Sequence, residues 1–318
     1  MAHERAHEPA EAIAAIDLGS NSIKLSVARR TPGGAVEEFA WDLETVRLGK
    51  GLDETGRLAD DRIDAALATL SRFAGIARDL GATRAVAVAT EAVRAAANGQ
   101  AFLDRVRAET GIEVATIDGN REAALTFAGL DATIDRGGTI VVADIGGASS
   151  EIIVAIDGRV DRSRSVPIGS GRYTDRFVVA DPPTAAELGA CRIAARAAMS
   201  AEPALGVLPA GDAVRLVLVG GTGEYVGVLA ERAGELSSAG IDRVLGQFET
   251  VPAADLAVEL GIAEARARVL PAGAAIAGAV ADLTSPGTVV AARSGIRRGL
   301  LLEAFGAIDA AGDAPLGR

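Results

Sequence analysis

The sequence predicts an α/β fold of two similar domains around an interdomain cleft. Its 318 residues suit about two domains. A strand–turn–strand unit occurs twice, as AAIDLGSNSIKLSVARR from Ala14 and as TIVVADIGGASSEIIVAI from Thr139. Asp17-Leu18-Gly19 falls on Asp144-Ile145-Gly146, with Ser22 on Ser149, Lys24 on Glu151, Leu25 on Ile152 and Val27 on Val154. Between and after the two copies, runs with the two-residue period of strands alternate with runs of helical spacing.

Ile23, Leu25 and Val27 alternate as a half-buried strand should, and the Gly/Ser/Asn turn before them makes a hairpin. Pro32-Gly33-Gly34 turns the chain again, and residues 36–43 predict a third strand. Residues 60–80 place Ile63, Leu67, Leu70, Phe73, Ile76, Ala77 and Leu80 on one helical face, closed by Gly81. A strand at 84–89, helices at 90–97 and 101–109, a strand at 112–117 and a helix at 121–130 follow. After the second hairpin come a turn-rich stretch at 166–171 and a helix at 184–200. A strand at 214–219 runs into Gly220-Gly221-Thr222-Gly223, and more helices lead to a strand at 287–292. Residues 295–305 predict an amphipathic helix that packs back on the first domain.

Composition narrows the chemistry. Net charge is −11, which disfavours general nucleic-acid binding, although a locally basic cleft can still take a polyanion. Aromatics at 3% leave little material for base-stacking platforms. The two histidines, His3 and His7, fall in a polar tail over residues 1–11, so histidine-based triads and histidine-rich metal sites lack their base or ligands. Cys191 stands alone, with no disulfide framework to join. Acid–base work therefore falls to Asp, Glu, Lys, Tyr or metal-bound water. Residues 1–11 have no apolar leader core, and the apolar run 269–281 is short for a bilayer and reads as a buried helix. A soluble, cytoplasmic protein is the expectation.

The duplicated Asp-x-Gly hairpins are the strongest chemical signal. A tight turn of small residues exposes successive amides to phosphate oxygens, and the strand-end Asp can hold a divalent cation or its water. Read singly, each is equally an ordinary hairpin with polar turn residues; the duplication favours phosphate. No P-loop run is present, and Gly220 to Gly223 lacks the full dinucleotide fingerprint.

Paired phosphate hairpins resemble the actin-like ATPase (ribonuclease H-like) superfamily. The ordered segments AAIDLGSNSIKLSVA, VAVATEAVRAAANG, IDGNREAALTFAGL and VVADIGGASSEIIV narrow the match. So do RSVPIGSGRYTDRFVVADPP, LVGGTGEYVGVL, VLPAGAAIAGAV and SGIRRGLL. Over nearly its whole length the chain resembles the exopolyphosphatase/guanosine pentaphosphate phosphohydrolase (Ppx/GppA) family, in a short two-domain form without the C-terminal HD-type domain. The resemblance implies residues 12–128 plus a terminal helix at about 300–318 as one actin-like domain, and 129–299 as the other. It implies release of orthophosphate from the end of polyphosphate, with a leaning to short chains. Hydrolysis of guanosine pentaphosphate is the alternative, and a non-catalytic polyphosphate or alarmone sensor is a third reading. A sugar or acid kinase of the superfamily would need an adenosine pocket, with Gly220 to Gly223 as its place.

The resemblance assigns roles by position. Glu122 matches the general base; without it, a first-turn Glu favoured by the helix dipole would be the plainer reading. Asp17, Asp144 and Glu151 match the acidic residues around Mg²⁺ or Mn²⁺ and the water. Gly19, Ser20, Asn21 and Ser22 match the first phosphate loop, and Gly146, Gly147, Ala148 and Ser149 the second. Arg94 matches a phosphate-gripping arginine, against a plain reading as a solvated helix residue. Lys24 reads equally well as an outward-facing strand residue. Three departures stand out. Arg121 replaces a glutamate beside Glu122, where it could lower that group's pKa or touch phosphate. Ala148 replaces a glycine that the turn could need at positive φ. Arg298 replaces an acidic residue. A phosphate site also calls for cations in the cleft, with Arg94, Arg121, Arg164, Arg172 and Arg293 as candidates. A homodimer is a further expectation.

Overall fold

A computed structural model describes residues 11–130, 134–292 and 295–308. Residues 1–10 of the expected 1–11 tail, Arg293 and the stretch 309–318 lie outside the described residues. The first domain runs β1 (Ala12–Leu18), β2 (Ile23–Arg30), β3 (Val36–Glu44), α1 (Leu52–Thr55), α2 (Asp60–Asp79), β4 (Ala82–Ala89), α3 (Glu91–Ala95), α4 (Gly99–Thr110) and β5 (Val114–Thr116). Helix α5 (Gly119–Ala128) follows. The second domain runs β6 (Thr139–Ile145), β7 (Ser150–Ile156), β8 (Arg159–Val166), α6 (Ser170–Phe177), α7 (Ala185–Ser200), β9 (Val214–Val219), α8 (Gly220–Arg232), α9 (Ser238–Phe248), α10 (Ala253–Leu260), α11 (Glu264–Ala267), α12 (Leu270–Thr284) and β10 (Thr288–Ala292). Helix α13 (Ile296–Ala304) comes last.

The repeat extends to whole sheets. The orders are β3-β2-β1-β4-β5 and β10-β9-β6-β7-β8, the same arrangement read from opposite ends. In each, the hairpin strands pair antiparallel and the central strand takes a parallel partner on its other side. Strands β1 and β6 are buried on both faces, which explains why they read as continuous apolar runs. Strand β8 and helix α6 were not anticipated. The β8 sequence RVDRSRSV faces solvent on alternate positions with polar groups and carries no apolar signal. Residues 220–223 form the first turn of α8.

Helix α5 lies between the two sheets. Its Leu125 packs with Ile13, Ala15 and Val88 of the first sheet and with Leu300 and Leu301 of α13. Its Ala123 and Phe127 pack with Ile140, Val142 and Ile153 of the second sheet. Helix α13 does return to the first domain, as expected, but the return begins at Ile296 rather than at 300. Closeness explains the glycines here. A Cβ on Gly299 would lie 2.1 Å from the Leu125 carbonyl oxygen, and one on Gly129 would lie 2.1 Å from that of Gly295. Arg121 Nη2 on α5 holds both Glu303 carboxylate oxygens on α13, at 2.6 and 2.7 Å.

The stretch Glu264–Thr284 passes a length and composition test for crossing a bilayer, yet 83% of its apolar window is buried inside the fold. It forms the centre of the second domain's core, where α12 packs on α7, α9 and α6.

The contact between α5 and α13 makes a matched pair of substitutions informative. Gly299→Ala forces a methyl into backbone and should lower unfolding stability by about 1–3 kcal/mol. Gly75→Ala, inside α2 with open space around it, should raise stability by about 0.5–1 kcal/mol. Denaturant titration of both variants measures the contrast.

Candidate active site

The two hairpins present the same geometry. Asp17 faces Lys24 across β1 and β2, and Asp144 faces Glu151 across β6 and β7. Gly19 N donates to Ser22 O at 3.2 Å, and Gly146 N donates to Ser149 O at 3.0 Å. A Cβ on either glycine would lie 2.9 Å from that carbonyl oxygen, so contact excludes any side chain there. The turns also meet each other. A Cβ on Gly147 would lie 2.5 Å from the Asn21 Cβ. Ala148 is not among the residues at positive φ, so its replacement of glycine strains nothing.

Between the hairpins is a cavity of about 60 Å³ lined by Asp17, Lys24, Glu122, Asp144, Glu151, Arg266 and the turn residues. In this measure a water needs about 10–15 Å³, so the space suits one phosphoryl group with its attacking water. Lys24 Nζ donates to Asp17 Oδ2 at 3.0 Å, and Thr126 Oγ1 to Asp144 Oδ2 at 3.1 Å. Ser165 Oγ donates to Glu151 Oε1 at 2.7 Å. Glu122 sits in the first turn of α5, whose start is fixed by Asp118 accepting from Arg121 N at 2.8 Å. The buried Glu122 Oε2 and Asp17 Oδ1 make no hydrogen bond.

This burial controls the charge state. Loss of water pushes Glu122 well above the ordinary carboxylate range, with further pressure from Glu151, Asp17 and Asp144 and slight relief from Arg94. Glu151 is pushed up to about 8, first by burial and then by Asp144. Asp144 keeps some surface open to the cleft but lies deep, and burial raises it too, against the pull of Lys24 and Thr126. Four carboxylates thus share the cavity with two cations, Lys24 and Arg266.

The unsatisfied oxygen of Asp17, with Asp144 on the same cavity wall, suits a hard divalent cation. The expected trio of Asp17, Asp144 and Glu151 does not form a ready-made cage, because among the described residues no three acidic groups stand together as a chelate. Their oxygens are separated by engagement with Lys24, Thr126 and Ser165. Mg²⁺ commonly takes one or two carboxylates plus phosphate oxygens and water, and the residues fit that pattern.

The expected arginines fall in different places. Arg94 does not line the inner cavity. It lies in an adjoining space of about 390 Å³, where its Nη1 donates to Ile117 O at 2.5 Å and its Nη2 pairs with Glu91. Arg121 turns away from Glu122 to Glu303, so it serves the contact between α5 and α13. Arg164 pairs with Glu202 at 3.2 Å, and Arg172 belongs to an outer groove together with Ala148. The replacement at Arg298 has no structural explanation. Lys24, left open by sequence, belongs to the site.

Arg266 was missed. It comes from the short helix α11, buried, with Nη1 donating to Ser22 Oγ at 3.3 Å and its guanidinium 5.0 Å from the Tyr225 ring centre. Gly221 makes room for it, since a Cβ there would lie 1.5 Å from Arg266 Nη2. Gly220, at φ +73°, makes room for Asp144 in the same way. This glycine run therefore shapes the inner cavity, and the adenosine-pocket reading loses its material.

The model of the Ppx/GppA phosphatase family matches residues 26–307. The chain belongs to this family. Exopolyphosphatase 1 of Mycobacterium tuberculosis is 31% identical over 297 residues, which are 90% of this chain and 86% of that protein. Exopolyphosphatase 2 of the same species is 34% identical over 253 residues, 77% of each chain. A guanosine-5'-triphosphate,3'-diphosphate pyrophosphatase of Photobacterium profundum is 33% identical over 164 residues, 52% of this chain and 33% of the relative. The solved Ppx/GppA structure from Aquifex aeolicus is 26% identical, with a TM-score of 0.72 over 94% of this chain and 99% of that one. The fold is shared with an exopolyphosphatase structure from Cytophaga hutchinsonii, at a TM-score of 0.83, 24% identity and coverage of 94% and 99%. The expected family and two-domain α/β fold are thereby established.

The raised Glu151 yields a signed prediction for the metal-free protein. The folded state binds this proton more tightly than the unfolded chain, so stability is lost as pH rises from 4.5 towards about 8. Glu151→Gln removes that loss. With a chelator present, its Tm should exceed the parent's by at least about 3 °C at pH 8 and match it near pH 4.5. Thermal unfolding across that range measures the difference.

Proposed function

We propose that this Ppx/GppA protein is an exopolyphosphatase, hydrolysing the terminal phosphoanhydride of inorganic polyphosphate to orthophosphate. One observation carries the reading. Glu122, buried and with an unsatisfied oxygen, faces a small cavity bounded by two abutting phosphate-type turns. Support comes from the relatives named exopolyphosphatase, which align over 90% and 77% of the chain. The pyrophosphatase relative aligns over about half, 52%, and hydrolysis of guanosine pentaphosphate is the second reading.

In this account the terminal phosphate enters between the turns. Amides and hydroxyls of Ser20 to Ser22 and of Gly147 and Ser149 donate to its oxygens, and Lys24 and Arg266 add positive charge. Glu122 accepts the proton of a water as the water oxygen bonds to the terminal phosphorus. The bridging P–O bond breaks, and its electrons leave with the shortened chain. A divalent cation held by Asp17 and Asp144 would offset charge on the phosphoryl oxygens. Glu151 stands across from Asp144 and, when protonated, spares the substrate one negative charge. Retention of all four carboxylates favours turnover over a sensor that binds without cleaving.

Glu122→Gln should lower kcat for phosphate release by about a hundred- to ten-thousandfold, with a smaller change in KM. Because Glu122 must lose its proton to act and its pKa is raised, kcat/KM of the parent should still be climbing with pH where an ordinary carboxylate is already fully ionised. A pH–rate profile that is flat from pH 5 to 9 would remove Glu122 as the base.

A further inference from the structure

Past Ser20, Asn21 and Gly147 the inner cavity opens into a groove of about 780 Å³. Charge inverts along the way. Among the described residues, five cations and three carboxylates line the groove, in a chain of net charge −11. Two ion pairs cross it from one domain to the other. Arg47 Nη2 of the first domain meets Asp175 Oδ1 of the second at 2.6 Å. Arg172 of the second domain holds both Asp53 oxygens of the first, each at 2.7 Å.

The two sides of each pair are built differently. The Arg47 and Arg172 side chains are 15% and 16% exposed, whereas Asp175 and Asp53 are 40% and 57% exposed. Both arginines are tied to the phosphate turns. Arg172 Nη1 donates to Ala148 O at 2.6 Å in the second turn. Arg47 N donates to Asn21 O at 2.7 Å in the first. Arg47 also has φ +54°, a left-handed conformation that strains a long side chain and that glycine or asparagine would adopt more readily. The backbone is thus held in an unfavourable state that aims a guanidinium over the groove.

We infer that this groove holds the distal phosphates of the polyphosphate chain, and that Asp53 and Asp175 stand on Arg172 and Arg47 where those phosphates bind. The inference rests on the polyphosphate reading above. Water and salt screen a pair whose carboxylate is exposed, the single Arg47–Asp175 contact more than the two-bond Arg172–Asp53 contact. A phosphate offers a guanidinium the same two-oxygen face that Asp53 offers Arg172. A chain also delivers its charges already linked, so each phosphate bound raises the effective concentration of the next. Entry of the chain needs only that Asp53 and Asp175 turn out to solvent. The two arginines, one from each domain, then bridge through phosphate what they bridged through carboxylate. Chain-length preference accordingly resides in this groove, while cleavage resides in the inner cavity.

The two members of each pair should act in opposite directions. For Arg47→Gln and Arg172→Gln, the kcat/KM ratio of long polyphosphate over tripolyphosphate should fall about fivefold each; for Asp53→Asn and Asp175→Asn it should rise. Binding of long polyphosphate to each variant in a Glu122→Gln background should weaken and tighten in the same order. If both members of a pair move the ratio and the binding the same way, or move neither, the pairs are structural ties and the inference fails. If the parent cleaves neither substrate yet binding still moves oppositely, the exopolyphosphatase reading fails and the groove assignment stands.

Discussion

The wedging of α5 between the two sheets is the constraint on which the site depends. Leu125 faces one sheet and Ala123 and Phe127 face the other, so the helix cannot rotate without breaking one core or the other. That fixed rotation carries Glu122 into the space between the hairpins, where it is buried yet lines the cavity. The Arg121–Glu303 pair and the glycine contacts with α13 hold the helix from behind. A catalytic carboxylate is thereby positioned by packing, with burial itself raising its proton affinity.

The same burial separates the cleft into two electrical zones. The inner cavity gathers four carboxylates that are costly to ionise together, which suits a place where a cation and a phosphoryl group complete the charge balance. The outer groove is rich in arginine and suits the remaining negative charge of a chain. An acidic protein can therefore handle a polyanion, because the sign of the local field differs from that of the whole molecule.

Much of this was legible in the residues. The repeat of Asp17 and Asp144, with Gly19 and Gly146 two positions on, gave both hairpins in their true register. It also set Lys24 opposite Asp17 as Glu151 is opposite Asp144, a signal that Lys24 faces the site. Helical spacing located α2 almost to the residue, because one face of it is buried and the other solvated. The misses share a cause. Arg266 reaches the cavity only through the packing of α11 on α10 and α12, and nothing near it in sequence announces that. Arg121 sits beside Glu122 in sequence but meets Glu303 in space. Adjacency along the chain fixes backbone position, while the direction of a long side chain is decided by distant partners.

The central claim is that water held against Glu122 attacks the terminal phosphorus of the chain. Hydrolysis of polyphosphate in heavy-oxygen water, followed by mass analysis of the products, tests it most directly. The account predicts one heavy oxygen atom in each orthophosphate released and none in the shortened chain. Label on the remaining chain end, or pyrophosphate as the first product, would contradict it.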